Sequence, residues 1–339
     1  MMSIIAIVID NHYQQIKKKA GKASMNSTIM KNLMIWGMSL FLLLTLAACS
    51  YSENALTQQT VEADTATKSY TTQSGEQVEI PAQPQRIIYL GSTLEDLLAL
   101  KLPVVGANLV NISGSFAEGL LTGVQDVGNP GDLEKIAALQ PDLILNGYTQ
   151  DTERNTALSK IAPTIPFNSA LPYKKRVQEL GTIFGIQDEA HQWISKFDSK
   201  TKAMWDKIKL TDGETATVFL QLGKQLYVMG NRSLGVVLYQ EQGFAIPPAI
   251  EENIISKNYT FNEISEELLP EYAGDHLFVL VLDNSESQAE SERLQQSPMW
   301  KTLPAVKAGH IYTASADWNT DNLLALEQLL EELPQWMNR

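Results

Sequence analysis

The sequence predicts an α/β protein of two lobes joined by one long helix, and three observations carry that expectation. Short apolar strands alternate with capped helical stretches on both sides of the middle of the chain, which implies βα units and a largely parallel sheet. One unit in each half repeats the same spacing: the cap Asp132, then Glu134, then Asp142 before an apolar strand, against Ser265, Glu267 and Asp275. Between the halves, residues 188–210 read as a single amphipathic helix.

In that helix Ala190, Trp193, Ile194, Phe197, Met204 and Ile208 recur at helical spacing, while Lys196, Lys200, Lys202, Lys207 and Lys209 take the other positions. Asp188 is the expected N-cap, lysines in the last turns suit the negative end of the helix dipole, and Thr211-Asp212-Gly213 supplies a stop. Such a helix is roughly 35 Å long, enough to act as a spine across a small domain.

The first lobe is expected over residues 76–187. It reads as strands at 77–80, 86–90, 104–107 and 143–146, with helices from Ser92, from Asp132, over 152–160 and from Lys174 to Phe184. The second lobe, 211–339, repeats the grammar with strands at 216–221, 225–229 and 277–282, and helices over 233–242 and 265–272. A closing amphipathic helix over 321–338 is broken near Pro334.

A length of 339 residues suggests two domains, and 44% hydrophobic with 19% charged residues is a globular composition. The single cysteine, Cys49, excludes an intramolecular disulfide. It stands directly after an uncharged apolar run, Leu33 to Ala48, that follows Lys31 and ends Leu46-Ala47-Ala48. This resembles a bacterial lipoprotein signal peptide, which implies removal of residues 1–48 and a diacylglycerol on the Cys49 thiol; the run is short for a membrane span. A start at Met25 or Met30 gives a more usual signal length. Residues 49–75 are then a lipidated, polar tether. Loss of residues 1–48, with five lysines and one aspartate, moves the formal charge from −13 to −17. Nucleic acid and anionic lipid are thereby disfavoured as partners of the folded body.

No phosphate-binding glycine loop, dinucleotide fingerprint, nucleophile elbow or zinc-protease helix occurs. Of four histidines, His12 falls within the signal region, and His191, His276 and His310 do not pair at metal-ligand spacing; the two before strands read as capping or surface residues. Metal and catalytic residues are expected to be none.

Several separated motifs then carry a resemblance: PQRII at 84–88, EDLLAL at 95–100, LEKI at 133–136, LQPDLI at 139–144, IAPT at 161–164 and LPAVKAG at 303–309. Together, in order over residues 76–339, they resemble the ferric-siderophore-binding lipoproteins of ABC importers, of the hydroxamate type. The resemblance implies two Rossmann-like lobes on a backbone helix, with an Fe(III)-siderophore as cleft ligand and no cofactor. It further implies a monomer, held at the extracytoplasmic face of the cell membrane, with a permease as partner. Receptors of the same fold for a catecholate siderophore, haem or cobalamin are the alternatives, and an exported α/β enzyme a weaker one. The resemblance also makes Glu134 and Glu267, one per lobe, the carboxylates that meet permease arginines. Ligands of α/β sheets bind at strand ends, which offers Arg232, Trp318, Tyr148, Tyr89 and Asn146. Arg232 is the strongest choice, because the resemblance puts an arginine of this loop toward iron-coordinating oxygens.

The lipid anchor is testable directly. A Cys49→Ala variant is expected to take up no radiolabelled palmitate and to leave the membrane fraction while folding normally; continued labelling would overturn the reading.

Overall fold

The computed structural model describes residues 66–110, 112, 116–148, 151–208 and 210–338, all within the compact unit Val61–Arg339. The expected signal segment 1–48, the lipidated Cys49 and the tether as far as residue 65 lie outside the described residues. Among the described residues no helix is long and apolar enough to cross a membrane.

Part of the expected tether is folded. β1 (Thr67–Thr71) and β2 (Gln77–Pro81) form an antiparallel hairpin turned at Gly75, whose φ of +86° favours glycine. Thr67-Lys-Ser-Tyr-Thr71 looks polar throughout, yet it alternates, and Tyr70 and Ile80 enter the core of the first lobe. Tyr70 Oη donates to Glu179 Oε1 at 3.2 Å and Gln73 Nε2 to Glu179 Oε2 at 2.7 Å, which fixes the hairpin to the helix carrying Glu179.

The first lobe comprises β3 (Ile87–Leu90), α1 (Leu94–Ala99), β4 (Val104–Ala107), β5 (Gln125–Asp126), α2 (Leu133–Ala138), β6 (Leu143–Asn146), α3 (Thr152–Leu158) and β7 (Thr164–Pro166). Its five strands are parallel in the order β5-β4-β3-β6-β7. Helices cover both faces, so β3 is apolar at every position: Ile87 and Tyr89 pack in one core cluster, Ile88 and Leu90 in the other. α4 (Tyr173–Phe184) closes the lobe and stops at Gly185, left-handed at φ +70°.

The spine is α5 (Gln187–Trp205), about 28 Å long at the usual rise. It starts one residue before Asp188, so Asp188 lies in the first turn rather than at the cap, and Lys207 and Ile208 fall beyond its end. The end is set by Trp205, buried in the second lobe with Nε1 donating to Val237 O at 3.1 Å. At the other end Tyr173 of α4 meets Trp193 and Phe197 edge-on, the latter two stacked at 5.3 Å.

The second lobe holds β8 (Ala216–Leu222), β9 (Gln225–Met229), α6 (Gly235–Leu238), α7 (Pro248–Ile250), β10 (Phe261–Ile264), α8 (Leu269–Tyr272) and β11 (His276–Val281). α9 (Ser285–Gln296), α10 (Pro298–Thr302), α11 (Pro304–Ala308), β12 (Ile311–Ser315) and α12 (Leu323–Met337) complete it. The sheet order is β10-β9-β8-β11-β12, with β8, β11 and β12 parallel and β9 antiparallel to both its neighbours. The sheet is therefore mixed where a parallel one was expected, because a tight turn at Gly223-Lys224 leaves no length for a crossover. His276, expected at the surface, is buried in this sheet and stacks on His310 at 4.2 Å.

The matched spacing has a structural reason. Asp142 accepts from the backbone N–H of Gln85 (2.6 Å) and Arg86 (2.9 Å), just before β3, while Asp275 accepts from Thr215 N (2.9 Å), just before β8. Each aspartate ties the start of its lobe's first sheet strand to the next parallel strand. α12, by contrast, runs unbroken through Pro334, with Leu329, Leu330 and Leu333 buried around it. Its Leu324 packs against the core of the first lobe, so the lobes are tied twice, by α5 and by α12.

Because Tyr70 fills that core, Tyr70→Ala is expected to lower stability by about 3 kcal/mol in urea unfolding. An unchanged midpoint would return the hairpin to the tether.

Candidate functional site

Parallel strands bring their carboxyl ends to one edge of the first lobe, and the loops leaving that edge carry the polar groups. Asn108, after β4, donates through Nδ2 to Tyr148 Oη at 3.0 Å, and Tyr148 Oη donates to Asn129 Oδ1 at 3.3 Å. Asn146, the last residue of β6, accepts from Tyr148 N at 3.2 Å and donates to Asn155 Oδ1 at 2.7 Å. Arg154 Nη2 supports the same loops by donating to Pro130 O at 2.8 Å and to Gly131 O. These bonds set the Tyr148 ring, which remains exposed at the edge.

Arg232, in the loop between β9 and α6, reaches this edge from the second lobe. Its Nη1 donates to Ala170 O at 2.7 Å and its Nη2 to Leu171 O at 3.1 Å, both in the loop after β7, while Nε contacts Asp321 Oδ2 at 2.5 Å. Asp321 is shared. Its Oδ1 accepts from Arg176 Nη1 at 3.1 Å, and Arg176 Nη2 donates to the Asp321 backbone O at 2.8 Å. Arg176, of α4, has no exposed surface; its Nε contacts Asp96 Oδ2 at 2.6 Å, and Asp96 Oδ1 accepts from Leu323 N at 2.9 Å at the head of α12. Burial opposes the charge on Arg176, but Asp96 and Asp321 outweigh it and hold the guanidinium protonated. Next to Asp96, Glu95 is buried with its Oε2 unpartnered. Burial pushes its carboxyl up to about 7, and Asp96 adds to the rise, against its own backbone N–H and Arg176.

Aromatic side chains close the other side. Trp318, after β12, lies 4.7 Å from Phe116 of the first lobe and meets Trp336 of α12 edge-on at 5.3 Å. The lobes thus meet at Arg232 and at the Phe116–Trp318 pair.

The structure sorts the sequence candidates. Arg232 and Trp318 stand where the lobes meet, and Tyr148 is exposed among the loops that leave the strand ends of the first lobe. Tyr89 does not: its ring is wholly buried, Oη shares a hydrogen bond of 2.8 Å with Thr93 Oγ1, and it packs on Phe167. β3 is covered on both faces, so a residue inside that strand has no route to ligand. Asn146 is also buried and acts on the backbone of Tyr148 instead of facing the cleft. Glu134 is exposed beside its cap, with Asp132 Oδ1 accepting from Glu134 N at 2.8 Å. Glu267 is exposed in the 3-10 turn Glu266–Leu268, and its carboxyl is held below the usual range by hydrogen bonds from the Ser265 hydroxyl and its own N–H. Phe116, Asp321, Arg176 and Asp96 were not among the sequence candidates. Arg176 did leave a signal, a charge on the buried stripe of Tyr173, Val177 and Leu180. No cluster of three metal-ligating side chains occurs among the described residues.

Comparison with known proteins agrees with this fold. Residues 87–317 match the family described as periplasmic binding protein. The chain is 31% identical over 299 residues to the iron(3+)-hydroxamate-binding protein YxeB of Bacillus subtilis, covering 85% of this chain and 90% of the relative. The structure of FhuD from S. pseudintermedius superposes with a TM-score of 0.68 at 28% identity, covering 80% of this chain and 98% of that one. That of FhuD2 from Staphylococcus aureus with bound ferrioxamine B gives 0.64 at 26% identity, over 75% and 98%.

The buried Glu95 carboxyl yields a pH prediction. Its folded value of about 7 lies above the ordinary 4.5, so the native state holds an extra proton between those values, and stability falls as pH rises through that window. Glu95→Gln is expected to flatten this fall and to stabilise the protein at pH 8 by about 2–3 kcal/mol, read from urea unfolding at pH 5 and 8. An unchanged pH profile would contradict it.

Proposed function

This chain belongs to the periplasmic binding protein family, and from that premise we propose that it captures a ferric hydroxamate siderophore between its lobes for delivery to an ABC permease. The observation that carries the proposal is what lines the junction of the lobes: the Arg232 guanidinium and aromatic rings contributed by both. A hexadentate chelate already satisfies its iron, so the receptor has only to recognise the outer oxygens and the carbon frame. Arg232 would donate to the oxygens, displacing the Ala170 and Leu171 carbonyls it now holds. Trp318, Phe116 and Tyr148 would pack on the frame. The receptor binds as a monomer and releases its cargo chemically unchanged.

Two further roles belong to the same reading. The lipid on Cys49 holds the folded body at the outer face of the cell membrane. Glu134 and Glu267, both exposed and one on each lobe, meet arginines of the two-fold permease.

Quenching of tryptophan fluorescence tests the ligand. Ferrioxamine B is expected to saturate the protein, and Arg232→Ala to weaken it by on the order of 1.5–3 kcal/mol. Tight binding of a ferric catecholate, haem or cobalamin, with none of ferrioxamine B, would replace the ligand class. In reconstituted vesicles, Glu134→Lys with Glu267→Lys is expected to abolish receptor-stimulated ATP hydrolysis with ligand affinity intact; full stimulation would remove both residues from docking.

A further inference from the structure

Resting on that functional reading, we infer that Asp321 is a selectivity residue: by neutralising Arg232 it makes the cleft accept electrically neutral ferric chelates and refuse anionic ones. The carboxylate of Asp321 stands between two guanidinium groups, 2.5 Å from Arg232 Nε and 3.1 Å from Arg176 Nη1. Arg176 has a second partner in Asp96 at 2.6 Å. Two arginines and two aspartates therefore form one group with no net charge. The group is also largely dry, since the Arg176 and Asp96 side chains are fully buried, that of Asp321 is 9% exposed and that of Arg232 20%.

Arg232 keeps the directional N–H donors of a guanidinium but loses the attractive field of a free cation. That combination suits a particular ligand chemistry. In a ferric trihydroxamate the charges of the three hydroxamates cancel that of Fe(III), leaving partly negative oxygens on a neutral complex. A ferric tricatecholate is strongly anionic. Facing a neutral ion-pair group on a chain of formal charge −13, the neutral complex gains hydrogen bonds, whereas the anionic complex gains no field to offset its lost hydration.

Asp321 is also a positioning residue. Its Oδ2 occupies Nε, which turns Nη1 and Nη2 toward the loop after β7, where both now donate to carbonyls. Those two nitrogens are the ones an incoming oxygen can take.

Asp321→Asn preserves shape but leaves the group with one excess positive charge. The affinity ratio of a ferric tricatecholate to ferrichrome, an uncharged ferric trihydroxamate, each read by fluorescence titration, is expected to rise by about tenfold or more. That gain should shrink as salt is raised. Arg232→Gln does the opposite: it leaves Asp321 to Arg176 alone, and the ratio is expected to fall. Should Asp321→Asn fail to fold by circular dichroism, the direction of the Arg232→Gln shift carries the test. Binding of ferrichrome by the wild type, with the ratio unmoved beyond about twofold in the folded variants, overturns the role of Asp321. A wild type that binds no ferric chelate fails the functional reading instead, and the two outcomes are distinct.

Discussion

A guanidinium with no access to water sits where the lobes meet, and much of the architecture follows from the need to satisfy it. Arg176 projects from α4 into the interior, where an unpaired charge is untenable. Its partners come from distant parts of the chain, Asp96 on α1 and Asp321 ahead of α12. Breaking such a buried pair by removing one member typically costs about 3–5 kcal/mol. The native arrangement of the lobes is thus the one in which positions 96, 176 and 321 converge. Asp96 also accepts from Leu323 N, placing a carboxylate from one lobe at the positive end of the helix that completes the other.

The cleft inherits its character from this junction. Arg232 is held at three points and Phe116 meets Trp318 between the lobes, so freeing the guanidinium means exchanging the Ala170 and Leu171 carbonyls for other acceptors. Family membership and the two α/β lobes are mutually consistent.

What could be read from the sequence depended on whether the signal was local. Strands such as Ile87–Leu90 and His276–Val281 announce themselves by composition, and Asp132 by the bonds its side chain makes to nearby backbone. α9 was missed because Ser285–Gln296 has no apolar stripe; it buries Ser287, Ser291 and Leu294 only. The first strand of the hairpin was missed because a single tyrosine anchors it in an otherwise polar stretch. In the site, Arg232, Trp318 and Tyr148 were legible as residues leaving strand ends. Tyr89 misled because it occupies the penultimate position of β3, still between two covered faces. Asp321, Asp96 and Phe116 acquire their roles from contacts between residues far apart in sequence, which spacing cannot express.

Leu324 belongs to a core whose other members lie between positions 70 and 186. On a growing chain it emerges well over a hundred residues after the rest, so the first lobe has a gap in its interior until Leu324 is made. Asp96 and Arg176 wait in the same gap for Asp321. An unfinished chain therefore carries a buried-to-be charge pair short of a partner and an apolar groove short of its filling. Formation of α12 closes both at once, which couples the folding of the first lobe to the arrival of a segment that follows the second sheet.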